Sequence, residues 1–135
     1  MKLVHASLLA IVCSGNALGA LAHHSFAAEF DRAKPVTLKG VVSKVEWANP
    51  HTRLYLDVMD KSGTPINWEL ELSSPNRLMQ AGWTRHSVKT GDTITVQGFM
   101  AKDGSRLANA SSIFAADGRK VLSELTSPDA PAAKK

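Results

Sequence analysis

Cysteine is nearly absent from this sequence, because Cys13 is the only one among 135 residues. It lies in an N-terminal segment that we expect to be removed, which leaves the mature chain with no disulfide bond, thiol nucleophile or cysteine metal ligand. Long apolar runs are missing too. The first apolar segment is interrupted by Ser14, Gly15, Asn16 and Gly19. This argues against a membrane anchor, since a spanning helix needs about 20 predominantly apolar residues.

A clustered basic patch is also missing. The formal net charge is +4, or +3 without Lys2, and lysine and arginine are interspersed with acidic residues. We therefore expect no nucleic-acid partner, whose signature would be a basic stripe, despite a pI of about 9.4. The sequence contains no nucleophile elbow, Gly-rich phosphate loop or HExxH helix, which argues against an ordinary hydrolase.

The N terminus has the features of an export signal. Residues 1–22 combine a basic second position, an apolar stretch at 8–12 and the Ala20-Leu21-Ala22 pattern that signal peptidases cleave. We predict a periplasmic or secreted protein whose mature chain begins at His23. Lipidation of Cys13 is a weaker alternative, because a bulky valine precedes it where that signal needs a small residue.

The residues after the signal suffice for one domain. We predict a lead-in at residues 23–34, a β domain at residues 35–122 and a disordered tail at residues 123–135. Ser74-Pro75, an N-cap residue followed by proline, predicts a short helix at residues 74–82. Alternating apolar residues predict strands at 36–47, 53–60, 66–72, 90–101 and 106–116.

The first predicted strand contains an irregularity. Val36 and Leu38 fall on one face, and the apolar residues from Val41 onward fall on the other. We assign this change of phase to a bulge or sharp bend at Gly40.

The order of three strands, a short helix and two strands is that of an OB-fold. We therefore predict an all-β protein with one short helix, built as a five-stranded OB-fold-like Greek-key barrel. The segments HHSFAAEFD, KPVTLKGVVSKVEWANPH, NWELELSSPN and GDTITVQGFMAKDGS resemble the DUF6152 family of small exported bacterial proteins. The resemblance implies an exported OB-like barrel and brings no established activity. His86 departs from the residue we expect there in that family, which argues against a role for it.

Histidines provide the sharpest functional hypothesis. After cleavage, the amino group and imidazole of His23 could hold copper together with His51, which lies in the loop after the first strand. A second arrangement uses the amino group of His23 with the backbone amide and imidazole of His24. Amine and imidazole nitrogens suit copper(II), which binds most tightly among divalent first-row ions. Zinc fits less well, since a structural zinc site needs four protein ligands.

Structural explanations exist for the same histidines. His23 and His24 could be a solvated terminus, and His51 could form a hydrogen bond in a turn at Asn49-Pro50. Likewise Glu69 and Glu71, which alternate with apolar residues, are expected on the solvated face of the sheet rather than as an acid–base pair.

A binding groove is the alternative to a metal site. Trp47, Asn49 and Tyr55 could line a groove in which flat side chains stack on a ligand. The sequence thus leaves three functions open. The first is an exported copper-binding protein, and the second is a metal-free barrel that binds a small molecule, a glycan or an exported protein. A copper oxidoreductase ranks last, so the sequence does not favour an enzyme.

Overall fold

The computed structural model describes residues 26–123. The elements are α1 (Phe26–Glu29), β1 (Phe30–Glu46), β2 (Arg53–Met59), β3 (Pro65–Glu71), α2 (Pro75–Gln80), β4 (Thr93–Ala101), β5 (Leu107–Ala115) and β6 (Lys120–Ser123). The predicted signal segment, His23, His24 and the tail from residue 124 onward lie outside the described residues.

The six strands form one sheet in the order β3-β2-β1-β4-β5-β6. Neighbours in this order are antiparallel, and a parallel pairing between β3 and β5 joins the two sides of the sheet into a barrel-like ring. The predicted all-β fold is confirmed. The described part adds a sixth strand and the four-residue helix α1 to the five strands and one helix that we predicted.

Strand β1 runs through both halves of the ring. It pairs with β4 as far as Val41 and with β2 from Val41 onward. The predicted change of phase exists but lies at Ser43, because the β1–β2 register shifts between Val42 and Lys44. A bulge residue reverses which face the following side chains occupy. Our placement of Val41 on the same face as Val45 was therefore wrong: Val41 is 41% exposed, whereas Val45 packs against the core and Val42 is buried.

The core fills the inside of the ring. The alternation predicted for β2 and β3 is confirmed at the centre of the core, since Leu54, Leu56 and Leu70 have no exposed surface. The predicted helix at residues 74–82 is confirmed as α2, and the Ser74 side chain accepts a hydrogen bond from the Arg77 N–H at its N terminus. The helix and the loop after it contribute Leu78, Trp83 and Val88 to the same core.

A smaller apolar cluster holds the start of the described chain. The Phe26 ring in α1 lies 5.5 Å from the Phe30 ring and packs edge-on against Phe99 of β4. Phe26 and Phe30 are each 2% exposed. The backbone N–H of Lys102 also donates to the carbonyl of Glu29 at 2.8 Å. Residues that we placed in a polar lead-in thus form α1 and the first residues of β1, and their aromatic side chains attach them to the sheet.

Candidate functional site

Backbone hydrogen bonds hold the β1–β2 loop against the end of β3. The N–H of Thr52 donates to the carbonyl of Ser73 at 3.1 Å, and the N–H of Leu72 donates to the carbonyl of Thr52 at 2.9 Å. These bonds continue the β2–β3 ladder beyond its last strand residue. As a result, His51 is fixed next to the final residues of β3.

The His51 ring is oriented by one of these residues. Its Nδ1 lies 3.1 Å from the carbonyl oxygen of Leu72. Because a carbonyl can only accept, Nδ1 carries the hydrogen in this contact. Nε2 makes no hydrogen bond with any of residues 26–123, and the side chain is 20% exposed. In the neutral ring, the Nε2 lone pair is therefore available to a ligand.

Glu71 lies beside this ring. One carboxylate oxygen is 3.8 Å from His51 Nδ1, and the Glu71 side chain is only 9% exposed. Our expectation that Glu71 faces solvent was wrong. At this point β3 is paired on both sides, since Glu71 pairs with Arg53 of β2 and with Asn109 of β5, and the His51 ring lies beside the Glu71 side chain.

Burial controls the electrostatics of Glu71. Loss of hydration raises its pKa above the ordinary value of 4.5, and the carboxylate of Glu29 in α1 adds to this rise. The charges of His51 and Arg53 and a hydrogen bond from the Asn109 side chain oppose it. α1 lies on the strands next to Glu71, because Phe26 packs against Phe99, Phe99 pairs with Asn109, and Asn109 pairs with Glu71.

Two buried oxygens at this end have no hydrogen-bond partner among the described residues. They are Oδ1 of Asn109, which is 1% exposed, and Oγ1 of Thr52, which has no exposed surface. Asn109 pairs with Glu71, whereas Thr52 pairs with the buried Leu72 and is in phase with Leu54 and Leu56, so its side chain faces the core. Buried polar atoms are nearly always satisfied in native proteins, so Asn109 Oδ1 is the atom beside Glu71 that retains the capacity to accept a hydrogen bond.

The raised pKa of Glu71 predicts that the charge destabilises the metal-free protein. A carboxyl whose folded-state pKa is raised contributes stability that is fully present below about 4.5 and is lost as the pH rises through the folded-state value. Glutamine has the shape of the protonated form. Without metal, Glu71→Gln should therefore unfold at a higher urea concentration than the wild type near pH 7. The difference should shrink as the pH falls through the raised pKa of Glu71 and should be absent below about 4.5.

Glu69→Gln is the matched control for this urea experiment. Glu69 lies on the same strand, but its side chain is 30% exposed and its carboxylate pairs with Arg53. Its loss should lower stability slightly, by about 0–1 kcal/mol. A Glu71→Gln protein that is less stable than the wild type at neutral pH would show that the buried charge stabilises the fold.

The predicted groove residues are not brought together. Trp47 packs against the core cluster, whereas Tyr55 is on the opposite face of the sheet, between the buried Leu54 and Leu56. The Tyr55 hydroxyl donates to Glu46 at 3.2 Å, and the Lys44 ammonium lies 5.0 Å above its ring. Asn49 is exposed in the β1–β2 loop.

The other described histidine lies elsewhere. His86 is exposed in the loop after α2, where its backbone N–H donates to the Thr84 hydroxyl at 3.2 Å. Within residues 26–123, no three His, Cys, Asp or Glu side chains form a group that could hold a metal ion. His51 and Glu71 thus form a pair, and no third potential ligand from the described residues joins them to make a metal site.

Residues 10–110 match the model of a family of unknown function, DUF6152. The chain belongs to the DUF6152 family. The match includes His51, Glu71 and Asn109, so the whole cluster lies in the DUF6152 region, while β6 follows it. A comparison with curated proteins gives no match. In the described part of this DUF6152 protein, neither helix is long and apolar enough to cross a membrane.

Proposed function

We propose that this chain is an exported binding protein that holds copper through the amino group and imidazole of His23 together with the imidazole of His51. The observation that carries the proposal is the orientation of His51. Ligating histidines usually donate their second ring N–H to a carbonyl or carboxylate, which fixes the ring and leaves the other nitrogen for the metal. The Nδ1 contact with Leu72 has this form, and Nε2 is the nitrogen left over.

The position of α1 supports His23 as the second ligand. Phe26 is buried against the sheet, where its ring packs on Phe99, the residue that pairs with Asn109 beside Glu71. Position 23 is three residues before Phe26, and three residues span at most about 11 Å. His23 therefore stays within about 11 Å of Phe26, and this nearness of position 23 to the strands that carry Asn109 and Glu71 supports the proposal.

Export supplies the free amino group that this arrangement requires. Cleavage after Ala22 would convert His23 from an internal residue, with an amide nitrogen, into a terminal residue with a basic amine. His24 remains the competing ligand, because the amino group of His23 and the amide and imidazole of His24 form a chelate without His51. The two arrangements differ in whether the folded domain takes part.

A competitive copper(II) titration of single-histidine variants tests the proposal. All proteins must begin at His23. His51→Ala should weaken copper binding by at least about 10–100-fold, since even outer-shell substitutions around a metal cost that much. His24→Ala should have little effect, and His86→Ala is the matched control for an exposed histidine elsewhere on the domain.

Other results would change the conclusion. If His24→Ala loses copper and His51→Ala does not, the chelate is confined to the first two residues of the mature chain. If all three variants bind copper as the wild type does, the histidines are not ligands, and a metal-free binding domain becomes the better explanation.

A further inference from the structure

A cleft of about 540 Å³ lies at one end of the β4–β5 pair. Ile94 and Ala115 pair with each other and line the cleft, whereas Asn109, the partner of Glu71, pairs with Phe99 further along the same two strands. The volume is within the roughly 300–1,000 Å³ that small-molecule sites occupy. The cleft is therefore large enough for a small organic ligand, and it is separate from the surroundings of Glu71.

Hydrogen bonds fix both walls of the cleft. One wall is the loop after α2, where the indole N–H of Trp83 donates to the carbonyl of Val121 in β6 at 2.8 Å. The other wall is the turn between β5 and β6, where the N–H of Ala115 donates to the carbonyl of Arg119 at 2.9 Å. Because the Trp83 bond joins the loop to β6, the two walls are held together. A ligand would thus enter a preformed site, which lowers the entropic cost of binding.

Apolar side chains form much of the lining of the cleft. They are Trp83, Val88, Ile94, Ala115, Ala116 and Val121. The first three belong to the core and are at most 4% exposed, so the cleft reaches the surface of the core. Contact with these side chains removes apolar ligand surface from water, which favours a ligand with an apolar body.

Three charged side chains also line the cleft, and two of them neutralise each other. Lys89 donates to the Asp92 carboxylate from its backbone N–H at 3.0 Å and from its ammonium at 2.9 Å. Arg119 differs, because its Nε is 3.9 Å from the nearest Asp117 oxygen, beyond hydrogen-bond distance. Its guanidinium makes no hydrogen bond with any of residues 26–123, and 71% of the side chain is exposed. Arg119 is therefore the charged group of the cleft that remains for a ligand.

We propose that this cleft binds a small carboxylic acid, with its carboxylate on Arg119 and its apolar body against Trp83 and the neighbouring apolar side chains. A guanidinium presents its N–H groups as a planar fork that matches the two oxygens of a carboxylate. An amine would find no uncommitted carboxylate in the lining, because Asp92 is bonded twice to Lys89. The proposal does not depend on copper binding and adds a second ligand site to the domain.

Octanoate is the probe for this site, and 1-octanol is the matched ligand that lacks the carboxylate. In an NMR titration of the isotope-labelled mature protein, octanoate should shift the indole N–H signal of Trp83 and the backbone N–H signal of Ala116 until they saturate. Arg119→Gln should weaken octanoate binding about 5-fold, the factor for an exposed ion pair worth about 1 kcal/mol, and should leave octanol binding unchanged. Arg106→Gln, at an exposed arginine between β4 and β5, is the control and should change neither affinity.

Ala116→Leu tests the place of binding, since it adds bulk at an exposed residue of the lining. It should weaken octanoate and octanol alike, because it fills space that the alkyl chain needs. The proposal is wrong if octanoate gives no saturable shifts, or if Ala116→Leu binds both ligands like the wild type. If both ligands bind in the cleft and Arg119→Gln changes neither affinity, the assignment of a carboxylate is overturned. None of these results affects the copper proposal, which the His51→Ala titration tests separately.

Discussion

Addition of Gly-Pro before His23 is expected to weaken copper binding by at least about 100-fold. The extension converts the amine of His23 into an amide, which is not a basic ligand, and so removes the six-membered chelate ring that the amine and imidazole of His23 would form with the metal. Loss of a direct ligand should exceed the roughly 10–100-fold cost of outer-shell changes. The measurement is a competitive copper(II) titration of the extended and unextended chains, each with its start verified by intact mass.

The choice of extension matters for this test. The proline nitrogen carries no hydrogen and so cannot become an amide ligand, which prevents the new amine from forming its own chelate with the following histidines. A single added residue would not have this property. Gly-Pro before the His24→Ala chain is the matched control, since it removes the competing imidazole as well. Equal affinity of the extended and unextended chains would show that the amino terminus is not a ligand.

The strands and α2 were predictable because local patterns specify them. Alternation placed Leu54, Leu56 and Leu70 in the core, and Ser74 marked the start of a helix. The sequence showed that β1 contains an irregularity, but it did not show which residue forms it. A change of apolar phase shows that an extra residue exists between two positions, but several residues can absorb it. Here it is Ser43, between Val42 and Lys44.

The candidate site was predictable only in part. His51 was identified because its loop is one at which an OB-fold presents ligands. Glu71 was missed, because alternation along one strand gives the face of a side chain and does not show what covers that face. Its neighbours come from distant parts of the chain: Asn109 of β5, with which it pairs, is 38 positions away. No local pattern encodes such a contact.

Gly40 and Gly98 are two further positions whose role depends on residues that are distant in the sequence. At both, a Cβ would meet a backbone carbonyl oxygen of a neighbouring strand: 2.3 Å from Asp57 at Gly40 and 2.1 Å from Asn109 at Gly98. Neither distance can be relieved by rotation of a side chain, because the obstructing atoms belong to the backbone. Both glycines therefore permit close approach of strands inside the ring.

Gly98→Ala is expected to cost about 3 kcal/mol or more in the free energy of unfolding, at the upper end of overpacking effects. Gly98 is buried in the middle of β4 and pairs with Val36 on one side and Ala110 on the other. To make room, β4 and β5 must separate locally and lose ladder hydrogen bonds. Such a loss is a large share of the roughly 5–15 kcal/mol that stabilise a typical domain. Urea denaturation followed by tryptophan fluorescence measures it.

Gln97→Ala is the control, since Gln97 is the exposed neighbour on the same strand and its loss should change stability by no more than about 0.5 kcal/mol. In Gly98→Ala, the added Cβ would meet the backbone of Asn109, the residue that pairs with Glu71. If Gly98→Ala unfolds at the same urea concentration as Gln97→Ala, the close contact between β4 and β5 does not exist as described.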